Sequence, residues 1–221
     1  MTLAADAAVE PSGTTVRVVP SAMASGAGGD RTLAAPGDIF QGDVIATGSD
    51  GNVQIRFLDD TRFVVGPNSR TTIDEFVYSD AGKATDVTFS AVRGTFRFIG
   101  GNGGPGVYSV RTPTATIGIR GTAVDFTVLP SGESMFLWRH GSGDICVTLG
   151  CRAVVEGDFV STLPGGRFGT LTPNQIAQRI RDYIPYANSE RGLATDFQLA
   201  QVDRPGPAPP PNLTPSPSNY R

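Results

Sequence analysis

The stretch YSVRTPTATIGIRGTAVDFTV (residues 108–128) sets the fold class. Ala115, Ile117 and Ile119 alternate with Thr116 and Gly118, and Val124, Phe126 and Val128 alternate with Asp125 and Thr127. Apolar side chains at every second position mark strands with one buried face. Arg120-Gly121-Thr122 lies between the two runs, where a glycine permits a bulge or a close backbone approach. Arg120 there is expected to bond carbonyls or an acidic turn such as Asp59-Asp60.

The same period recurs on both sides. Upstream, Val53, Ile55 and Phe57 alternate with Gln54 and Arg56; Val87, Phe89 and Ala91 alternate with Thr88 and Ser90; Phe96 and Phe98 flank Arg97. Downstream, Ile145, Val147 and Leu149 continue the series. Turn-forming clusters separate these runs: Ser49-Asp50-Gly51-Asn52, Asp59-Asp60-Thr61, Gly66-Pro67-Asn68, Asp80-Ala81-Gly82, Pro130-Ser131-Gly132 and Gly141-Ser142-Gly143. Asp-Gly and Gly-Asn pairs supply the left-handed conformations of tight hairpins. The chain has 28 glycines in 221 residues, nearly double the usual share of about 7%. The expected fold is all-β: a roll of many short strands in two facing sheets, β-sandwich or β-solenoid-like.

Outside that body the pattern changes. Residues 1–30 are rich in Ala, Gly and Ser, with one strand-like stretch at Val16-Arg17-Val18-Val19 and a loop expected from Ser21 to Asp30. They read as an extension and linker, and 31–165 as the β domain. Residues 166–204 carry a helical signal. Thr172 is placed to cap, Pro173 to open and Gln175 to close a capping box. Ile176, Ile180, Tyr183 and Ile184 share one face, and Pro185 ends the run. A second short helix is expected within Leu193–Val202. These helices are expected to lay their apolar faces on the β domain or offer one to a partner. Residues 205–217 contain seven prolines, so 205–221 reads as an extended tail. A match to a glycosylation sequon, Asn212-Leu213-Thr214, falls within it.

Charge and compartment narrow the function. The net charge of −3 excludes a generically nucleic-acid-binding surface. No apolar run reaches the length of a membrane helix. Of the 18 basic residues all but Lys83 are arginine, a side chain suited to pairing with carboxylates across strands. Leu3-Ala4-Ala5-Asp6-Ala7 looks like the junction of a signal peptide and a mature chain. Cys146 and Cys151 flank a Thr148-Leu149-Gly150 turn, and four intervening residues suit a hairpin. A bridge there would stabilise by roughly 2 kcal/mol. The expectation is a structural disulfide in an oxidising compartment, periplasmic or secreted; two reduced core thiols are the alternative.

The residues quoted above, with GDVIATGSDGNVQIRFLDDTRFVVGPNSRTTID (42–74) and VTFSAVRGTFRF (87–98), resemble the FecR domain of bacterial envelope proteins. The likeness covers roughly residues 37–149. Its signature residues here are Thr112, Pro113, Ala115, Ile117, Gly118, Ile119, Arg120, Gly121, Thr122, Val124 and Phe126, together with the Asp59-Asp60 and Gly66-Pro67 turns. These residues are expected to hold the fold and not a ligand. The name-giving members relay an outer-membrane receptor's state to a sigma factor, which the resemblance offers as one role. With no anti-sigma segment or membrane helix in the sequence, the resemblance points first to a plain periplasmic or secreted module.

Other motifs carry less chemistry. Gly101-Asn102-Gly103-Gly104-Pro105-Gly106 fits G-x-G-x-x-G, but a strand follows it and Pro105 removes an amide donor, so no dinucleotide is expected there. His140-Gly141-Ser142-Gly143-Asp144 sets the sole histidine near a serine and an aspartate. Alternate strand residues lie about 7 Å apart, too far for a serine–histidine contact. Asp59-Asp60 and Asp74-Glu75 are adjacent carboxylates, which on strands face opposite sides. Trp138 suits the core or an interface better than a sugar platform. No cofactor or metal is expected, since His140 is a single ligand at most. The expected function is non-catalytic binding, assembly or scaffolding in the cell envelope. Its partner would be a protein or a cell-surface polysaccharide, with self-association as one form. Signal relay is the first alternative and a carbohydrate-active enzyme the second.

Overall fold

The computed structural model describes residues 10–199 except 20, 27 and 80–82; the side chain of Thr122 also lies outside the described set. The Asp80-Ala81-Gly82 turn, the Pro-rich tail, its sequon and residues 200–202 fall outside it.

Among the described residues, fifteen strands form one hydrogen-bonded network. They are β1 (Gly13–Val19), β2 (Ala22–Ser25), β3 (Arg31–Thr32), β4 (Asp38–Ile39), β5 (Val44–Thr47), β6 (Asn52–Phe57), β7 (Arg62–Val65), β8 (Arg70–Tyr78), β9 (Ala84–Ile99), β10 (Tyr108–Arg111), β11 (Thr116–Val128), β12 (Ser134–Val147), β13 (Gly150–Val155), β14 (Phe159–Leu163) and β15 (Arg167–Phe168). Two helices follow, α1 (Pro173–Tyr183) and α2 (Pro185–Asn188), then a 3₁₀ turn at Thr195–Phe197.

The network folds into two layers because three long strands run through both. The N-terminal part of β9 pairs with β8 and, in parallel, with β10; its last residues, 94–99, pair with β11 and 96–99 with β7. Residues 116–120 of β11 pair with 142–146 of β12, and 123–128 pair with the start of β12 and the end of β9. The first layer therefore runs β4, β1, β6, β7, then the far parts of β9 and β11, then the start of β12, β14 and β15. The second runs β3, β2, β5, β8, then the near parts of β9, β10 and β11, then the end of β12 and β13. Both layers face one core, and aromatic rings meet across it. Phe57 stacks on Phe76 at 4.4 Å, Phe63 on Phe89 at 4.7 Å, and Phe98 meets Tyr108 edge-on at 5.4 Å.

Each long strand changes layer at a glycine in the left-handed region: Gly94 (φ 106°), Gly121 (φ 105°) and Gly141 (φ 75°). A bulge at Gly121 shifts the β11–β12 register between Arg120 and Ala123. The all-β roll of two facing sheets is thus present, with long bent strands where separate short ones were expected. Val87 to Phe98 is one strand, and Gly141-Ser142-Gly143 is a bend inside β12, not a turn. An isolated glycine pair looks the same in sequence whether the chain reverses there or only bends. The stretch 1–30, expected as extension and linker, supplies β1 and β2, which pair with β6 and β5.

The capping box at Thr172 and Gln175 forms as its residues dictate. The apolar face of α1 is only partly covered. Ile184, just past its end, is enclosed with Met135 and Leu137, Ile180 packs at the margin, and Tyr183 stays exposed. Beyond it, Tyr186, Leu193 and Phe197 seat on Val64, and Leu199 on Ile99 and Ala123. Of the helix expected in 193–202, only the three-residue 3₁₀ turn is formed among the described residues.

Candidate functional site

Alternation along β6, β7, β9 and β11 sends Gln54, Val64, Arg97 and Asp125 away from the aromatic core. Half-buried strands ordinarily expose that face. Here residues 184–199 cross it as a strap, and Gln54, Val64, Arg97 and Asp125 have no exposed surface. Arg97 is the centre of the contact. Its Nε and Nη2 donate to the two carboxylate oxygens of Asp125 at 2.6 and 2.8 Å. Nη1 donates to the Glu190 carboxylate and to the Phe197 carbonyl at 3.2 Å, and Nη2 also to the Tyr186 carbonyl at 3.1 Å. The Tyr186 ring lies 5.5 Å from the guanidinium. Burial opposes the Arg97 charge, yet the bonds and charges of Asp125 and Glu190 outweigh it and hold the pKa above its ordinary value.

The strap is tied at further points. Gln54 Nε2 donates to the Gly192 carbonyl at 2.9 Å, and its Oε1 accepts from the Ala194 amide at 2.7 Å. Asn52 donates to the Tyr186 hydroxyl at 3.1 Å, and Arg62 to the Asp196 carbonyl at 2.6 Å. Burial drives the Tyr186 phenol well above its ordinary pKa, against the Asn52 bond that lowers it.

Beside the strap opens a cleft of about 880 Å³. Its floor is Leu137–His140 of β12, its rim the turn after β13, and its wall the strap; the ionisable lining is Arg139, His140, Glu156, Tyr186, Glu190 and Arg191. The lone imidazole thus keeps company that its sequence neighbours did not announce. His140 Nδ1 lies 3.4 Å from Glu156 Oε2, and Arg139 Nη1 lies 3.4 Å from Asp125 Oδ2. Glu190 Oε1 is already taken by Arg97 and by the Leu199 amide at 2.9 Å. Ser142 does not line the cleft. The arrangement presents arginine guanidiniums and side-chain amides to a ligand.

The signature residues lie elsewhere. Asp59 is fully buried and accepts from the Thr61 amide (3.0 Å), the Thr61 hydroxyl (2.7 Å) and the Tyr108 hydroxyl (2.9 Å). Asp60 turns the chain with φ 65°. Gly66 bonds Thr95 through its amide, and a Cβ on it would lie 2.6 Å from the Tyr186 hydroxyl. Pro67 lines a smaller cavity under α1. Thr112 Oγ1 accepts from the Thr114 and Ala115 amides and so closes the turn that carries exposed Pro113. Ile117 and Phe126 are core, on either side of the β11 bend, and Gly118 has open space around it. Arg120 reaches neither carbonyls nor the Asp59-Asp60 turn; it pairs with Asp144 at 2.7 Å across the β11–β12 ladder. Cys146 and Cys151 are bonded to each other and face one another in the β12–β13 hairpin.

The sequence reading missed Arg97, Asp125, Glu190 and Arg191. It also missed Asp43, fully buried and gripped by Arg31 at 3.1 and 2.5 Å. For Arg97 and Asp125 a signal existed: each is a single charge set between two core residues of a strongly apolar strand.

The FecR protein family model matches residues 43–137, from Asp43 through the bends of β9 and β11 to Leu137. Over residues 43–137 the chain is similar to FecR proteins. The strap and both cysteines lie beyond that match. Two crystal structures of an anti-sigma factor candidate from Parabacteroides distasonis are similar to the chain, each at 12% identity. One has a TM-score of 0.48 over 63% of this chain and 64% of that one; the other has 0.47 over 71% and 82%. The chain thus spans under two thirds of the first neighbour's length. No curated protein matches the chain.

Proposed function

We propose that the protein is a non-catalytic, extracytoplasmic FecR-domain module of the cell envelope that binds a protein or a cell-surface polysaccharide. The cleft carries this reading. It is open and polar, its walls are fixed by a rigid sheet and a tied strap, and Arg139, His140 and Arg191 offer donors to carboxylate or hydroxyl groups of a ligand. The Cys146–Cys151 disulfide supports an oxidising compartment, periplasmic or secreted. No helix among the described residues is long and apolar enough to cross a membrane. The FecR domain also favours a second reading, relay of an envelope signal through a protein partner in the same cleft.

A photocrosslinking residue at position 191, with one at exposed Thr85 as the control, tests the proposal in intact cells. A discrete adduct from position 191 alone is expected, and Arg139→Glu should abolish it. Equal labelling from both positions would overturn the cleft as the binding site. Glycoside hydrolysis by the purified protein, lost in Glu156→Gln, would overturn the non-catalytic reading.

A further inference from the structure

The charges around the cleft balance in one protonation state of His140 and not in the other. Asp125 and Glu190 face Arg97 and Arg139, two carboxylates against two guanidiniums. Asp125 already accepts two bonds from Arg97, so Arg139, at 3.4 Å, keeps donors for another acceptor. Glu190 is further engaged by the Leu199 amide. Glu156 and Arg191 remain, one charge of each sign, and among the described residues Arg191 pairs with no carboxylate. Around a neutral His140 the lining is therefore balanced. A proton on the imidazole gives it one surplus positive charge.

That proton has a partner in place. His140 Nδ1 lies 3.4 Å from Glu156 Oε2, and both side chains reach solvent. Once charged, the imidazole occupies Glu156, the one carboxylate of the lining that no other described residue holds, and Arg139 and Arg191 are left to a ligand. The other groups facing His140 are Arg139 on its own strand and Tyr186, Glu190 and Arg191 on the strap; on β11, Arg120 is engaged by Asp144. Histidine is the side chain that ordinarily changes charge between about pH 5 and 8. His140 is the only one in the chain.

We propose that the cleft captures a carboxylate-rich segment of a protein partner, and that protonation of His140 tightens the capture. This deepens the cleft reading and rests on it. The two guanidiniums with spare donors select an acidic ligand. Trp138 and Tyr186 of the lining are 1% and 7% exposed, so neither offers a face on which the rings of an acidic polysaccharide could stack. Ser189, Thr195 and Gln198 line the cleft with hydroxyls and an amide, which suit the carbonyls and amides of a peptide backbone. As pH falls, His140 gains its proton, the cleft gains positive charge, and a carboxylate ligand is held more tightly.

Fluorescence anisotropy of a capped, labelled hexa-aspartate peptide with the full chain is the test, at about pH 5.8 and about pH 7.8, where aspartate stays ionised. Binding is expected to be about fivefold tighter at the lower pH and to weaken with salt. His140→Gln should bind at both pH values as weakly as wild type does at the higher one. His140→Lys should bind at both as tightly as wild type does at the lower one. An imidazole that only shaped the cleft would not separate the two variants in this way. Arg191→Glu should lose binding at both, and unchanged melting temperatures verify that the variants fold. Failure to bind hexa-aspartate at either pH, binding indifferent to pH, or capture of polygalacturonate in its place overturns the proposal. If position 191 still crosslinks a partner in cells, any of those results leaves the cleft standing and removes only this ligand class and its gate.

Discussion

Arg97 and Asp125 face each other on adjacent strands and join by two charge-assisted bonds, with neither side chain reaching solvent. They stand on the side of the first layer away from the aromatic core, and only the strap keeps water from them. A buried ion pair adds modest net stability, but losing one partner strands the other charge. Arg97→Met should therefore cost about 3–5 kcal/mol in urea unfolding. Arg97→Met with Asp125→Leu should recover most of that loss. If both variants fall equally, the strap is held by its apolar seats on Val64 and Ile99 and not by the ion pair.

High pH should loosen the fold through its tyrosines. Burial, and after it the Asp59 charge, drives the Tyr78 phenol well above its ordinary value of 10.0. Burial also raises Tyr108, despite the lowering effect of Thr61, and it raises Tyr186. Below pH 10 folded and unfolded chains both hold these protons, and stability is indifferent to them. Above it the unfolded chain releases them first, so stability falls as pH rises. Circular dichroism between pH 8 and about 12 should show unfolding coincident with the phenolate absorbance step. Tyr78→Phe should move that transition upward. Tyrosine ionisation complete before any loss of structure would contradict the burial of these rings.

The three layer-changing glycines are unequal in what they exclude. A Cβ on Gly94 would lie 2.0 Å from Ser69 Oγ and 2.4 Å from its Cα, on a backbone with φ 106°. Gly94→Ala should cost about 3 kcal/mol or more, because strain and overlap add. Gly121→Val meets the Gly141 Cα at 3.1 Å with φ 105°, and about 1–3 kcal/mol is expected. Gly118→Ala, outside the bends and six positions after Thr112 in the signature, meets nothing within 4 Å and should stay within about 0.5 kcal/mol. Thermal melts of the three variants rank these positions, and a Gly121→Val variant that melts like wild type would contradict a fold-holding role for the signature.

These glycines also mark the limit of what period-two alternation conveys. It assigns each residue a face, and it does so correctly for Phe57, Phe89, Ile117 and Phe126, all in the core. It is silent on what lies over the opposite face. Gln54, Arg97 and Asp125 therefore looked solvent-directed, since the strap that buries them, Tyr186 to Leu199, carries no more signal than a short helix near its end, and nothing in it says which face it covers. The cleft was illegible for the same reason: its wall is that strap. The cysteine pairing was legible because both partners sit in one hairpin, where sequence spacing nearly equals spatial spacing.

Opening that hairpin separates local from long-range stabilisation. The ring closed by Cys146 and Cys151 spans a sequence separation of five. On the chain-entropy account so short a ring stabilises by about 2 kcal/mol. The β12–β13 ladder runs from Ser142–Val155 to Val147–Gly150, and Val154 is enclosed in the core, so strand pairing itself does not need the bridge. The tip is also held without it, by the Leu149 amide on the Gly166 carbonyl at 3.3 Å and by Arg152 stacked on Phe168 at 4.4 Å. Cys146→Ser with Cys151→Ser should lower unfolding stability by about 2 kcal/mol and leave a folded domain. Amide exchange should quicken in residues 144–153 and hold elsewhere. A chain that no longer folds would show that the bridge, and not the ladder, builds this edge of the second layer.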